Sequence, residues 1–150
     1  AGTGLDAAGI ERKRAVLAQA LAANATATEP LDALAALGGF EVATMTGAVL
    51  QAAQERRVIV VDGFITSAAV LVAARLQPQV LQRCVFAHSS GEPGHALMLA
   101  QLQAQPLLDM GLRLGEGSGA ALAWPLLPSA CAVLREMASF EAAGVATQGG

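Results

Sequence analysis

One carboxylate sits among glycines. In Leu112-Arg113-Leu114-Gly115-Glu116-Gly117-Ser118-Gly119-Ala120-Ala121, Glu116 is flanked by Gly115 and Gly117, and Gly119 lies two positions beyond Gly117. Glycine takes positive φ without steric penalty and lets a backbone pass close to a ligand. Ser118 is placed to N-cap the apolar run over 120–127. The pattern is a tight loop opening a helix, with free backbone N–H groups and one acid among them. Anions bind at such places, and a carboxylate there can act as a general base on a bound substrate. The same residues would also serve an ordinary strand-to-helix turn with an exposed glutamate, so alone they name no reaction. A dinucleotide-binding fingerprint fits less well, because the third glycine arrives one residue early.

Two further polar clusters precede this one: Asp62-Gly63, and His88-Ser89-Ser90-Gly91-Glu92-Pro93-Gly94-His95. Asp62 is expected to touch a sugar or to cap the helix after it, with the balance towards the site. Glu92 and His95 are expected to shape their loop. His88 and His95 could share a metal, but no third ligand of matching spacing follows, so no metal is expected.

Elements must hold these clusters in place. Apolar periodicity predicts a helix over 8–23, with Val16, Leu17, Ala20 and Leu21 on one face. Pro30 suits the first position of a second helix, and Gly38-Gly39 stops it. A third helix is predicted over 41–55, with Gly47 allowing close packing. Val58-Ile59-Val60-Val61 reads as a buried parallel strand, followed by an apolar helix over 65–76. A second strand is expected over 84–87, a loop over 88–95, a helix over 95–103, and a long helix over 119–138 bent at Pro125 and Pro128. Strand, loop and helix alternate, which predicts an α/β layer with a parallel sheet. In such sheets ligands sit beyond the carboxyl ends of the strands. The loops at 62–63, 88–95 and 111–118 can therefore converge on one crevice.

Composition narrows the class. At 150 residues, 54% hydrophobic and 14% charged, the chain suits one packed domain rather than a disordered segment. Aromatic residues make up 3%, with no tyrosine, which argues against base-stacking surfaces. A net charge of −3 without a run of Lys or Arg argues against a nucleic-acid face. Glu11-Arg12-Lys13-Arg14 reads as a solvated helix face. Cys84 and Cys131 lack CxxC spacing and read as buried free thiols in a reducing compartment. Trp124 and Met137 are expected in a core or a domain interface. With no signal peptide and no apolar stretch long enough to span a bilayer, a cytoplasmic protein without nucleic-acid or membrane partners is expected. The opening without an initiator methionine suggests the C-terminal part of a longer protein.

Taken together, specific segments carry a resemblance. Gly38-Gly39-Phe40-Glu41-Val42-Ala43, Val61-Asp62-Gly63-Phe64-Ile65-Thr66-Ser67-Ala68-Ala69, the run from His88 to His95 and the run from Leu112 to Ala121 occur in this order. The chain resembles the C-terminal half of the nicotinate-nucleotide–dimethylbenzimidazole phosphoribosyltransferase family, over about 2–145. Gly2-Thr3-Gly4-Leu5-Asp6 followed by Lys13 is similar to a mid-chain motif of that family.

The resemblance implies transfer of the phosphoribosyl group of nicotinate mononucleotide to a nitrogen of 5,6-dimethylbenzimidazole, with inversion and release of nicotinate. It implies that Glu116 is the general base. Lys13, Ser90, Gly115 and Gly117 would lie near the mononucleotide, and Leu114 against the benzimidazole; Asp62 joins them as a candidate substrate contact. It also implies a parallel α/β sheet domain, with the C-terminal helices contributing to a smaller helical domain, in a homodimer. One departure is Gly91, where a small residue such as alanine is expected. The family's N-terminal half, with a further phosphate loop, lies outside these 150 residues. A second reading is therefore a non-catalytic nucleotide-binding or assembly domain, inactive as this fragment.

Overall fold

The computed structural model describes residues 6–139 and 142–144. Asp6 caps the first helix, α1 (Ala7–Ala23), its Oδ1 accepting the N–H of Gly9 at 2.7 Å. Pro30 opens α2 (Pro30–Leu37), which stops at Gly38, and α3 (Phe40–Gln54) follows. The β-branched run then forms β1 (Ile59–Val61). Gly63, at φ 66°, turns the chain from β1 into α4 (Gly63–Leu76). A 3-10 helix (Pro78–Arg83) leads to β2 (Cys84–Phe86) and β3 (His88–Ser90), after which come α5 (Pro93–Gln101) and β4 (Leu108–Leu112). Two helices, α6 (Ser118–Ala123) and α7 (Leu126–Glu136), complete the order.

All strand pairing is parallel. β1 pairs with β2 in the register Ile59–Cys84, Val60–Val85 and Val61–Phe86. β3 pairs with β4 through His88–Leu108 and Ser90–Leu112, with an irregularity between them. Only Ala87 separates β2 from β3. Its N–H donates to Val61 O at 2.9 Å and its carbonyl accepts from Leu108 N at 3.0 Å, so pairing passes from β1 to β4 there. Each crossover is a helix, as parallel neighbours require. The result is the expected α/β fold: a parallel sheet flanked by helices, with a C-terminal helical part.

The core gathers round α4. Ala69, Val70 and Ala73 are buried, and α2, α3 and α5 all pack on this helix. Val49, Val61, Val80, Phe86, Leu99 and Leu102 complete the apolar cluster. Small residues on α4 bring α3 close enough for Thr46 Oγ1 to donate to Ala69 O at 3.3 Å, besides Val42 O at 2.8 Å.

Several expectations change. The loop expected over 88–95 begins as a strand, because the polar run His88–Ser90 is paired by β4; partner strands decide here against local propensity. The helix expected over 119–138 is two helices, broken at Trp124-Pro125, since proline lacks the N–H that would continue the ladder. Ser118 is not the cap of α6. Gly117 is, and Ser118 is the first helical residue, its buried Oγ without a partner.

Gly47 is exposed and allows no close packing, for nothing lies within 4 Å of where its Cβ would be. Of the strand expected to be buried, Val58 is exposed and only Val61 is fully covered. Cys131 is exposed, not buried. Cys84 is half-buried; its Sγ donates to Val80 O at 3.3 Å, and burial pushes the thiol up to about 11. Trp124 and Met137 are exposed and belong to no core of the described residues, and the apolar face of α1 (Val16, Leu17, Leu21) is likewise open. Among the described residues no helix is long and apolar enough to cross a membrane.

Candidate active site

The ends of β1, the start of β3 and the start of α6 meet around two side chains. Asp62, directly after β1, sends Oδ1 to the N–H of Ala120 at 2.7 Å. A carboxylate from 58 residues upstream thus does for α6 what Ser118 was expected to do: it satisfies a free N–H of the first turn. The same Oδ1 lies 3.5 Å from His88 Nε2. The His88 ring is almost wholly buried, 6% exposed, and its Nδ1 has no partner. A Cβ at Gly63 would come within 3.3 Å of His88 Nε2, and one at Gly119 would run into the ring itself. Two glycines therefore make room for this imidazole.

His95 forms a second, fully satisfied network. The N–H of Ser90 donates to His95 Nδ1 at 2.9 Å, so Nδ1 carries no proton. Nε2 then bears the hydrogen and donates to Ser67 Oγ at 3.0 Å, while Ser67 donates to Gly63 O at 2.6 Å. His95 thus shapes its loop, as expected, by fixing the end of β3 to the start of α4. Burial, reinforced by the neighbouring His88 and opposed by Asp62, holds the His95 imidazolium below its ordinary range.

The unfolded chain therefore takes up this proton first as pH falls. Stability contributed by neutral His95 is complete above the ordinary histidine value, about 6.5, and is lost as pH falls from there through the lowered folded value. Urea unfolding between pH 7 and 5 is expected to show this loss, with a flatter dependence in His95→Gln. An equal slope in both proteins would contradict the assignment.

Glu116 lies on the turn that leads into α6, the helix whose first turn meets Asp62 and His88. Gly115, Glu116 and Gly117 have φ of 78°, 55° and 78°, three consecutive left-handed residues, and Ser118 N donates back to Gly115 O at 3.0 Å. For a non-glycine residue this conformation is unfavourable by about 1–2 kcal/mol. Strain held at one acidic residue between glycines is the kind found at functional sites. Glu116 is exposed, with no wall over it among the described residues.

The other candidates are placed unevenly. Ser90 ends β3, and its Oγ accepts the N–H of Glu92 at 3.2 Å. Gly91 N donates to Leu112 O at 3.2 Å, which ties the second polar loop to the third. Where alanine is expected at 91, a Cβ would press to 2.8 Å of the Arg113 Cγ; glycine leaves space for that stem. Leu114 is 79% exposed beside the glutamate turn. Lys13 lies on the exposed helix α1 and takes no part in the hydrogen bonds that gather the loops. The three loops do converge, through Asp62, His88 and Gly119. Sequence reasoning considered His88 only as a metal ligand. Its packing role shows only once the fold brings the glycines at 63 and 119 against its ring.

Comparison with known proteins adds the following. A family model described as "Phosphoribosyltransferase" matches residues 1–145. The nicotinate-nucleotide–dimethylbenzimidazole phosphoribosyltransferase of Variovorax paradoxus (strain S110) is 76% identical over 144 residues, covering 96% of this chain and 41% of that protein. The protein of the same name from Cupriavidus taiwanensis is 64% identical over 146 residues, covering 97% and 42%. A crystal structure of nicotinate-nucleotide–dimethylbenzimidazole phosphoribosyltransferase from Thermus thermophilus superposes with a TM-score of 0.87 at 39% identity, over 95% of this chain and 43% of that one. The chain thus spans about two fifths of the length of these relatives.

Proposed function

The chain belongs to the phosphoribosyltransferase family, and from that premise we propose that it supplies the general base and part of the nucleotide site of an enzyme moving phosphoribose from nicotinate mononucleotide to 5,6-dimethylbenzimidazole. The products are α-ribazole 5′-phosphate and nicotinate. It is the C-terminal portion of the catalytic α/β domain. The observation that carries this reading is the strained Gly115-Glu116-Gly117 turn at the carboxyl edge of a parallel sheet, within the matched span.

The chemistry suits the residues. The leaving group is a pyridinium, so the bond to C1′ breaks with its electron pair returning to a cationic nitrogen, and no strong acid is needed. A benzimidazole nitrogen attacks C1′ from the opposite face and becomes cationic. Glu116 takes the N–H proton from the other ring nitrogen and stabilises the charge until then. Its exposure fits a residue whose partner is an incoming substrate. Lys13, Ser90 and the N–H groups of Gly115 and Gly117 would serve phosphate and ribose. Leu114 would lie against the ring, and Asp62 would face the ribose while holding α6.

The reaction calls on no metal or organic cofactor. We place the protein in the cytoplasm, where its two unpaired cysteines suit a reducing milieu. It would work as a homodimer, and the open apolar side chains Trp124 (62% exposed) and Leu134 on the C-terminal helices suit burial against further protein.

The test uses a protein of full family length carrying this sequence. Incubated with nicotinate mononucleotide and 5,6-dimethylbenzimidazole, it is expected to release nicotinate in step with formation of the benzimidazole nucleotide. Binding of both compounds without turnover would favour the non-catalytic reading instead.

A further inference from the structure

We infer that His88, held against Asp62, is a positioning residue that sets the Glu116 turn; this rests on Glu116 being the base. Three independent observations meet at its ring. First, one oxygen, Asp62 Oδ1, both faces His88 Nε2 at 3.5 Å and accepts the Ala120 N–H at 2.7 Å. The place where α6 begins is thereby tied to the place where the imidazole stands. Second, the chain gives up side chains at both positions that touch the Nε2 edge: Gly63 at the start of α4 and Gly119 in the first turn of α6. α6 therefore packs its backbone directly on the ring, and a shift of the ring moves the helix. Third, the turn carrying Glu116 ends in Gly117, the N-cap of that same helix. Between the His88 ring and the Glu116 carboxylate there is only one turn of backbone.

The burial is costly unless it serves something. His88 is buried with Nδ1 unpartnered, and an unsatisfied buried nitrogen is destabilising. An apolar residue of like size would avoid that penalty, yet it could not face the Asp62 carboxylate. Without the imidazole beside it, Asp62 Oδ1 would keep the Ala120 N–H as its contact on α6, and the anchor of α6 to β1 would loosen. The neighbouring charged or titratable groups are Asp62, on its own turn, and His95, whose ring centroid lies 6.3 Å away and whose nitrogens are both already engaged. Asp62 is thus the group left for His88 to engage.

Two variants in a full-length protein separate this role from general stability. His88→Leu keeps volume and removes the polar edge that faces Asp62; His88→Gln keeps a nitrogen where Nε2 stands. In His88→Leu, kcat is expected to fall about tenfold to a hundredfold, the range for a misplaced reacting group, with KM for both substrates little changed. His88→Gln restores most of the loss. Amide hydrogen exchange over 115–121 should quicken in the Leu variant while exchange in the α4 core stays slow.

Unchanged exchange over 115–121, or a Gln variant as impaired as Leu, would overturn the inference. So would quickened exchange with full kcat. Exchange does not depend on what Glu116 does chemically. If Glu116→Gln keeps full turnover, the catalytic reading fails on its own, whatever the exchange shows.

Discussion

Glu116→Gln is expected to lower kcat at least about a hundredfold in a full-length protein, the usual contribution of a positioned base, while leaving thermal stability unchanged. The side chain is exposed and the amide is nearly isosteric, so nothing in the fold depends on its charge. Glu116→Gly sharpens the contrast. It also removes the base, but it relieves a non-glycine residue at φ 55° and should stabilise the fold by roughly 1 kcal/mol. One position then shows activity and stability moving in opposite directions. Steady-state nicotinate release and urea unfolding on the same three proteins check this. A Gly variant less stable than the parent would remove strain from the argument, and a fully active Gln variant would remove the base.

Gly119→Ala is the second large effect. An added Cβ would run into the His88 ring and come within 2.6 Å of Asp62 Oδ1, the atom that anchors α6. Neither neighbour is a flexible side-chain end, because the ring is buried between backbones and the carboxylate is committed to Ala120. The methyl should therefore displace α6, with a loss of about 2 kcal/mol or more even against alanine's better helix propensity. The Glu116 turn moves with the helix, so turnover should fall too. Gly47→Ala in α3 is the control. Nothing lies within 4 Å of that site and it is exposed, so the same change should stabilise by about 0.5–1 kcal/mol. Equal effects at the two glycines would show that the His88 contact is not what Gly119 protects.

The architecture was legible wherever local chemistry and tertiary structure agree. Val58-Ile59-Val60-Val61 could hardly be anything but strand, Pro30 and Gly38 mark the bounds of α2, and the apolar run over 65–76 reads as the helix α4. Legibility failed where a distant partner decides. His88–Ser90 has no strand pattern and becomes one only because β4 lies beside it, while β4 itself contains Asp109 and Gly111, residues that strands disfavour. Ser118 looked like a cap by sequence spacing, yet the N-cap is Gly117 and the side-chain oxygen that meets the first turn comes from Asp62, which no local rule could supply.

The candidate site divides the same way. The Gly115-Glu116-Gly117 turn announced itself through its glycines, whose positive φ the structure bears out. His88 did not, since a lone histidine at a strand end says nothing until the two glycines beside it are placed in space. The exposure of Val16, Leu17 and Leu21 on α1 shows a further limit: periodicity reveals an apolar face but not what covers it.

The most direct measurement is a structure of a full-length protein with 5,6-dimethylbenzimidazole bound. The account predicts a Glu116 carboxylate oxygen within about 2.6–3.2 Å of the N–H nitrogen of the ring. A bound benzimidazole whose N–H meets some other acceptor, with Glu116 turned to solvent, would contradict it.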